Sequence, residues 1–387
     1  MKKIFSCFLI LSVLFTPFRV FGVEKDVDTG LISGAVSGVL MEANTGKIIY
    51  EKEKDKQVAI ASMTKMVAQI IIFEEIEKGN IHYDDMVTVS KNAADMGGSQ
   101  IYIEQGEKIS VEDLIKGISM ASGNDATVQM AEVISGSEEK FVKRMNEKVK
   151  ELGLKNTVFK NCTGLDEEGH FSSAYDMAVI ARELIVNHSD ILKFSSLYED
   201  YLREDTDNKF WLVNTNKLIR FYEGADGLKT GHTDAAGYCL AATAKRGDLR
   251  LIAIVLGEED SKVRNSETME FLDYGFSNVK MNLLKEKGEV VKKIKIDKAD
   301  KEIVSIVLKS NLAVIEDPGE DGKYQYKIKM NSYQLPLKTG DVVGEIQVCK
   351  KNKVITSGEL TVKDSVKALS YFDLFKKSMI DFVSGDI

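Results

Sequence analysis

From Ala59 to Asn80 the chain reads AIASMTKMVAQIIIFEEIEKGN, and this stretch limits the fold more than any other. Met66, Val67, Ile70, Ile71, Ile72, Phe73 and Ile76 put apolar side chains on nearly every face of a helix. A helix apolar all round belongs inside a domain, not on its surface. Gly79 supplies a C-terminal stop. Whatever stands at the front of this helix is carried into the interior with it, and Ser62 and Lys65 stand there. Three residues apart, they share a face. Ser62 would meet the unpaired N–H groups and the positive dipole end that favour a developing oxyanion. Lys65, a turn deeper, would lose basicity to burial and could work as a neutral base. A hydroxyl beside such a base is the minimum for an activated serine nucleophile. The spacing alone is weak, because Ser137/Lys140 and Ser277/Lys280 share it. The first of these reads as the start of a charged surface helix, the second as a polar connector.

The chain has 387 residues, enough for one large domain and a smaller one. Its net charge is −8 and it has no strongly basic block, which argues against a nucleic-acid partner. Residues 1–22 carry Lys2 and Lys3, then an apolar run from Ile4 to Leu14, then Val20-Phe21-Gly22. This is the pattern of a secretory signal peptide cut near Gly22. Beyond it Cys162, Cys239 and Cys349 form no C-x-x-C pair, so neither a disulfide framework nor a zinc site is indicated. Cys239 lies in an apolar run and reads as a core residue; a Cys162–Cys239 bridge is left open. The histidines show no metal-ligand spacing, and no cofactor is expected.

Along the chain, Ala35 to Glu51 reads as a β-hairpin turning at Ala43-Asn44-Thr45-Gly46. Ser110-Val-Glu-Asp113 opens a helix running to about Met120. Gly123 marks a tight connection to a second helix, Asp125 to Ile134, so Ser122 and Asn124 should project from a loop held at both ends. Ser90-Lys91-Asn92 has the same form and reads only as a helix cap. Residues 161–173 read as a loop, and Tyr175 to Val186 as a helix with Asp176 in its first turn. Tyr238 to Ala244 and Leu249 to Leu256 form a hairpin of near-continuous apolar strands, central to a sheet covered on both faces. Lys229-Thr230-Gly231 leads into it. The glycine would let a ligand lie against the strand, and the Lys and Thr offer a cation and a hydroxyl to an anionic group. A second Lys-Thr-Gly, at Lys338, reads as a plain turn.

From about Met281 short alternating segments dominate: Val290–Ile296, Ile303–Leu308, Tyr324–Met330, Val342–Val348 and Val354–Val362. They read as a small all-β, sandwich-like domain. From Asp364 onward Val366, Leu369, Phe372, Phe375, Met379 and Phe382 make a stripe flanked by lysines. It is too short and charged to span a bilayer and fits an amphipathic helix in a membrane interface.

Three weak signals thus stand in one order: Ser62-Met-Thr-Lys65, Ser122-Gly-Asn124 and Lys229-Thr-Gly231. Together they resemble the penicillin-recognising serine enzymes, and more narrowly the low-molecular-mass D-alanyl-D-alanine carboxypeptidases. ASMTKMV, MASGNDA, GLKTGHTDAAGYCLAATA, CTGLDEEGHFSSAYDMAVIAREL and LPLKTGDVVGEI carry the likeness over essentially all of the chain after the leader. The resemblance implies an α+β fold: a β-lactamase/transpeptidase-like domain with an antiparallel sheet flanked by helices, then the all-β domain and the terminal helix. The expected divisions are 1–22 signal peptide, 30–276 catalytic domain, 281–362 all-β domain and 364–387 membrane-anchor helix. It implies Ser62, Lys65 and Ser122 as catalytic residues. Asn124, Lys229, Thr230, Gly231 and His232 would bind substrate, with the backbone N–H groups of Ser62 and His232 as the oxyanion hole. The implied partners are a peptidoglycan stem peptide ending in D-Ala-D-Ala, β-lactam antibiotics and the outer face of the cytoplasmic membrane. One departure stands out: Thr215 occupies a place where some members of the family have arginine. A class A β-lactamase would need a Glu-x-x-x-Asn motif, but Glu167 and Glu168 are followed at that offset by Phe171 and Ser172. The other alternative is a non-catalytic, membrane-bound wall-binding protein with a vestigial pocket.

Overall fold

A computed structural model describes residues 30–204, 206–316, 322–370, 372, 373 and 375. The expected signal peptide, residues 1–22, and the end of the expected terminal helix lie outside these residues. The main sheet is built from β1 (Ser37–Glu42), β2 (Ile48–Lys52), β5 (Ala225–Thr233), β6 (Gly237–Arg246) and β7 (Leu249–Glu258), with β3 (Glu199–Leu202) and β4 (Phe210–Val213) forming a separate hairpin. The main sheet runs β2-β1-β7-β6-β5, antiparallel throughout. Strand alternation sends Val39, Met41, Ala241, Ile252 and Ile254 into one apolar core. Leu40, Leu240, Ala242, Leu251, Ala253 and Val255 go into another. The sheet is therefore buried on both faces, as the unbroken apolar runs of β6 and β7 require.

The larger core is closed by α1 (Lys65–Glu77), α2 (Val111–Lys116), α3 (Asn124–Ser135), α4 (Glu138–Glu151) and α5 (Ala174–Asn187). Helix α1 is its centre: every residue from Lys65 to Phe73 is buried, and the all-apolar stretch lies where its composition demands. The second core lies under α6 (Ser261–Asn278), which contributes Phe271 and Leu272. Ser277 belongs to the last turn of α6, not to a connector. Ser137 and Ser90 cap helices, each accepting an N–H three residues on. Cys162, Cys239 and Cys349 are buried free thiols, so no Cys162–Cys239 bridge forms.

The C-terminal part holds β8 (Lys280–Lys285), β9 (Val290–Lys295), β10 (Ile303–Leu308), β11 (Leu312–Glu316), β12 (Gln325–Met330), β13 (Gly344–Lys350) and β14 (Lys353–Val362). A sheet in the order β9-β10-β14-β13-β12 packs its apolar side with the pair β8–β11, two strands that alternation alone did not reveal. The stripe from Asp364 needs correction. Val366 is fully buried in this β core and bridges Leu337, and Ala368 bridges Ala299. Residues 364–370 are therefore extended and belong to the β region, because an apolar side chain over an open sheet face gains more from burial than from a helical turn. Helix is described only at Phe372, Asp373 and Phe375, where both aromatic rings are largely exposed. Among the described residues no helix is long and apolar enough to cross a membrane.

Candidate active site

Ser62 stands one step ahead of α1, in a 3-10 turn over Ala61–Thr64. In such a turn side chains three apart eclipse one another, so Lys65 comes directly under Ser62. Lys65 Nζ lies 2.8 Å from Ser62 Oγ, 2.7 Å from Asn124 Oδ1 and 2.7 Å from the Thr163 carbonyl oxygen. The lysine is fully buried, and burial pulls its pKa down to about 7. The turn is forced into place from two sides. A Cβ on Gly231 of β5 would stand 2.7 Å from Ile60 O, and one on Gly164 would stand 1.9 Å from Ala61 O. Ala61 itself takes φ +47.

The Ser-Gly-Asn segment connects two helical stretches, as its glycine suggested, by an unforeseen route. After α2 the chain makes a π turn, Gly117–Ala121, and Ser122 follows in the left-handed region at φ 64. Wide turns of this kind recur at functional sites. Ser122 Oγ is buried and has no hydrogen-bond partner among the described residues. Asn124 opens α3; its amide donates to Gly97 O at 2.7 Å while its oxygen accepts from Lys65. Next to it the Asp125 carboxylate gathers the N–H groups of Ile101 and Ile103, which fixes the neighbouring loop.

Strand β5 is an edge of the main sheet and brings the third element. Lys229 is buried, donates to Thr230 O at 3.0 Å, and is held well below the usual lysine pKa by burial and by the nearby Lys65 and Arg264. Thr230 donates its hydroxyl to Thr215 Oγ1 at 2.8 Å. His232 is exposed and stacks on Tyr238, with ring centroids 4.0 Å apart. Beside it a 550 Å³ cleft is lined by Val58, Ala59, Thr233, Ala235 and Tyr238 among others. The structure thus brings Ser62, Lys65, Ser122, Asn124, Lys229, Thr230 and Gly231 to one place, with His232 next in line on the strand.

Three contributors carried no sequence signal of their own. The Thr163 carbonyl is a backbone group. Gly164 was one glycine among many. Thr64 lies between Ser62 and Lys65 in the sequence, and only the fold brings His170 Nε2 to 2.8 Å from its hydroxyl.

The comparisons agree with this geometry. Residues 28–260 match the family described as D-alanyl-D-alanine carboxypeptidase, and residues 280–368 match the penicillin-binding protein 5 C-terminal domain. The chain is 44% identical to the D-alanyl-D-alanine carboxypeptidase DacF of Bacillus subtilis (strain 168), over 99% of either chain. It is similar to the crystal structure of penicillin-binding protein 5 from Haemophilus influenzae, with a TM-score of 0.67 and 32% identity over 86% of this chain and 98% of that one. It is also similar to penicillin-binding protein D2 of Listeria monocytogenes in the ampicillin-bound form, with a TM-score of 0.57 and 31% identity over 63% of this chain and 98% of that one. With nearly its whole length aligned in this way, the chain belongs to the D-alanyl-D-alanine carboxypeptidase family.

Proposed function

We propose that this protein removes the terminal D-alanine from peptidoglycan stem peptides through an acyl-enzyme on Ser62, and that penicillins acylate the same serine. The observation that carries the reading is the fully buried Lys65 amine at 2.8 Å from Ser62 Oγ. Neutral Lys65 takes the Ser62 proton as Oγ attacks the penultimate D-alanine carbonyl. The backbone N–H groups of Ser62 and His232 receive the oxyanion; Gly231, which lacks a Cβ, lets β5 come close enough to the Ser62 amide for both to point at one oxygen. Ser122, whose hydroxyl has no partner among the described residues, carries the proton to the leaving amine, and free D-alanine departs. Water then attacks the ester under the same base, and Ser62 regains its proton. Each oxyanion donor is worth roughly 10²–10³ in rate, and the general base about 10²–10⁴.

Lys229 and Thr230 hold the terminal carboxylate. Lys229 and Lys65 are like charges in one buried site, so charging one disfavours charging the other. An incoming carboxylate settles the proton on Lys229 and leaves Lys65 neutral for catalysis. Asn124 bonds the substrate backbone, and the cleft beside His232 takes the acyl part of the stem peptide. The 1–22 segment directs the chain across the cytoplasmic membrane, and the residues after Ser370 hold it on the outer face. Catalytic (30–276) and all-β (281–362) regions then form two domains, the second a spacer between site and membrane.

The test is the intact mass of the purified ectodomain mixed with benzylpenicillin, followed over time with the free drug. One slowly lost drug adduct per chain, absent in Ser62→Ala, together with D-alanine release from a stem pentapeptide, is the expected result. Rapid drug consumption without a lasting adduct would instead make the protein a β-lactamase.

A further inference from the structure

A peptide unit is planar, so whatever holds its C=O also aims its N–H. The Ala61–Ser62 peptide supplies the N–H assigned above to the oxyanion hole, and its carbonyl is held. Thr64 Oγ1 donates to Ala61 O at 2.8 Å. That hydroxyl has spent its one proton, so the contact at 2.8 Å from His170 Nε2 must be an N–H donated by the ring. His170 Nδ1 in turn accepts the Lys160 N–H at 3.3 Å. Both ring nitrogens are thereby assigned, and the imidazole is neutral with its proton on Nε2. Burial supports the same state: the ring is largely enclosed, Phe159 meets it edge-on with centroids 5.6 Å apart, and its pKa is pushed down to about 4, against the opposite pull of Glu167 and Asp166. Meanwhile Ala61 sits at φ +47, a conformation that costs a non-glycine residue about 1–3 kcal/mol. Local sterics do not choose this orientation of the peptide; something must maintain it.

We propose that His170 is a positioning residue for the oxyanion hole, fixing through Thr64 the plane of the Ala61–Ser62 peptide and so the aim of the Ser62 N–H at the reacting carbonyl. His170 does not touch Ser62 Oγ; it acts one hydroxyl removed. The inference rests on the assignment of the Ser62 amide to the oxyanion hole.

The test compares wild type, His170→Phe and His170→Gln with carbonyl-labelled benzylpenicillin. It reads the acylation rate constant and the infrared stretch of the penicilloyl ester, which falls in frequency as oxyanion-hole hydrogen bonds strengthen. His170→Phe is expected to acylate roughly tenfold to a hundredfold more slowly, within the worth of one oxyanion donor, with the ester band raised by several wavenumbers. His170→Gln can donate to Thr64 and accept from Lys160, and is expected to restore both. An unchanged band in His170→Phe would overturn the proposal whatever the rate, as would a folded His170→Gln whose band stays with the Phe variant. Should His170→Phe fail to melt cooperatively, Thr64→Val, which removes only the hydroxyl, is read in its place by the same criteria. Failure of wild type itself to form an adduct would strike the parent reading instead.

Discussion

Lys65 Nζ and Ser62 Oγ are 2.8 Å apart, and the lysine is buried completely while the serine is only half-buried. The base is thus shielded from water while the nucleophile still faces a substrate. Desolvation pulls the Lys65 pKa down to about 7. A lysine is a base only when deprotonated, so the sign follows directly. Below pH 7 the neutral fraction falls tenfold per unit; above it the fraction is saturated. The second-order rate constant for acylation by benzylpenicillin should climb about tenfold per unit from pH 5 and level off near 7. Lys65→Arg, which stays protonated, should abolish acylation at every pH. A flat profile from pH 5 to 7 would remove Lys65 from the role of base.

Gly164 stands at φ +85 with its missing Cβ 1.9 Å from Ala61 O and 2.9 Å from Ser62 N. Gly164→Ala must displace the Ala61–Ser62 peptide. The expected outcome is an acylation rate lower by roughly a hundredfold, the worth of one oxyanion donor, and a stability loss of about 1–3 kcal/mol. Gly79 is the control. It has φ +74 but no atom within 4 Å of its added Cβ. Gly79→Ala should lose about 1 kcal/mol for the left-handed backbone and acylate normally. Thermal melts and penicillin kinetics on the two variants separate strain from collision.

Thr215 Oγ1 accepts the Thr230 hydroxyl at 2.8 Å, and Thr215 is exposed. The nearby cation for a terminal carboxylate is Lys229, whose charge burial opposes. Thr215→Arg would add a permanently charged, bidentate donor beside Thr230. KM for a small acyl-D-Ala-D-Ala peptide should fall about tenfold, or ~1.4 kcal/mol of binding, with kcat within about twofold. Steady-state assay of D-alanine release decides it; an unchanged KM would mean that the carboxylate is not bound at Thr230.

What the sequence made legible was whatever a side chain announces by type and period. Helix α1 was readable because seven apolar residues wrap it, and the hairpin β6–β7 because both strands are apolar without a break. Ser62, Lys65, Ser122, Asn124 and Lys229 were readable because three individually weak motifs, standing in one order on helix front, loop and strand, resemble a known family's active site. The turn types were not. The 3-10 turn at Ala61 lies close against Gly164 and Gly231, and the π turn at Gly117 against Ile101, and such contacts join residues far apart in sequence. The Thr163 carbonyl left no mark, since every residue has one. In the stripe after Asp364, apolar residues at helical spacing were compatible with two partners, a membrane and the β core, and period alone does not choose between them.

That stripe yields the last expectation. Val366 is fully buried in the β core and Leu369 N–H bonds Lys298 O at 2.8 Å, whereas Phe372 and Phe375 are 75% and 65% exposed. If residues beyond Ser370 hold the protein on a membrane surface, two truncations should differ. Ending the chain at Ser370 removes the exposed aromatics and leaves the β core whole. Liposome binding should be lost, with melting temperature and penicillin acylation unchanged. Ending it at Lys363 also removes Val366, whose burial is worth about 1.5–3 kcal/mol, so the β region should melt earlier as well. Sedimentation with liposomes alongside calorimetry reads both. Binding that survives the shorter deletion would refute the anchor, because the exposed Phe372 and Phe375 are already gone in that variant.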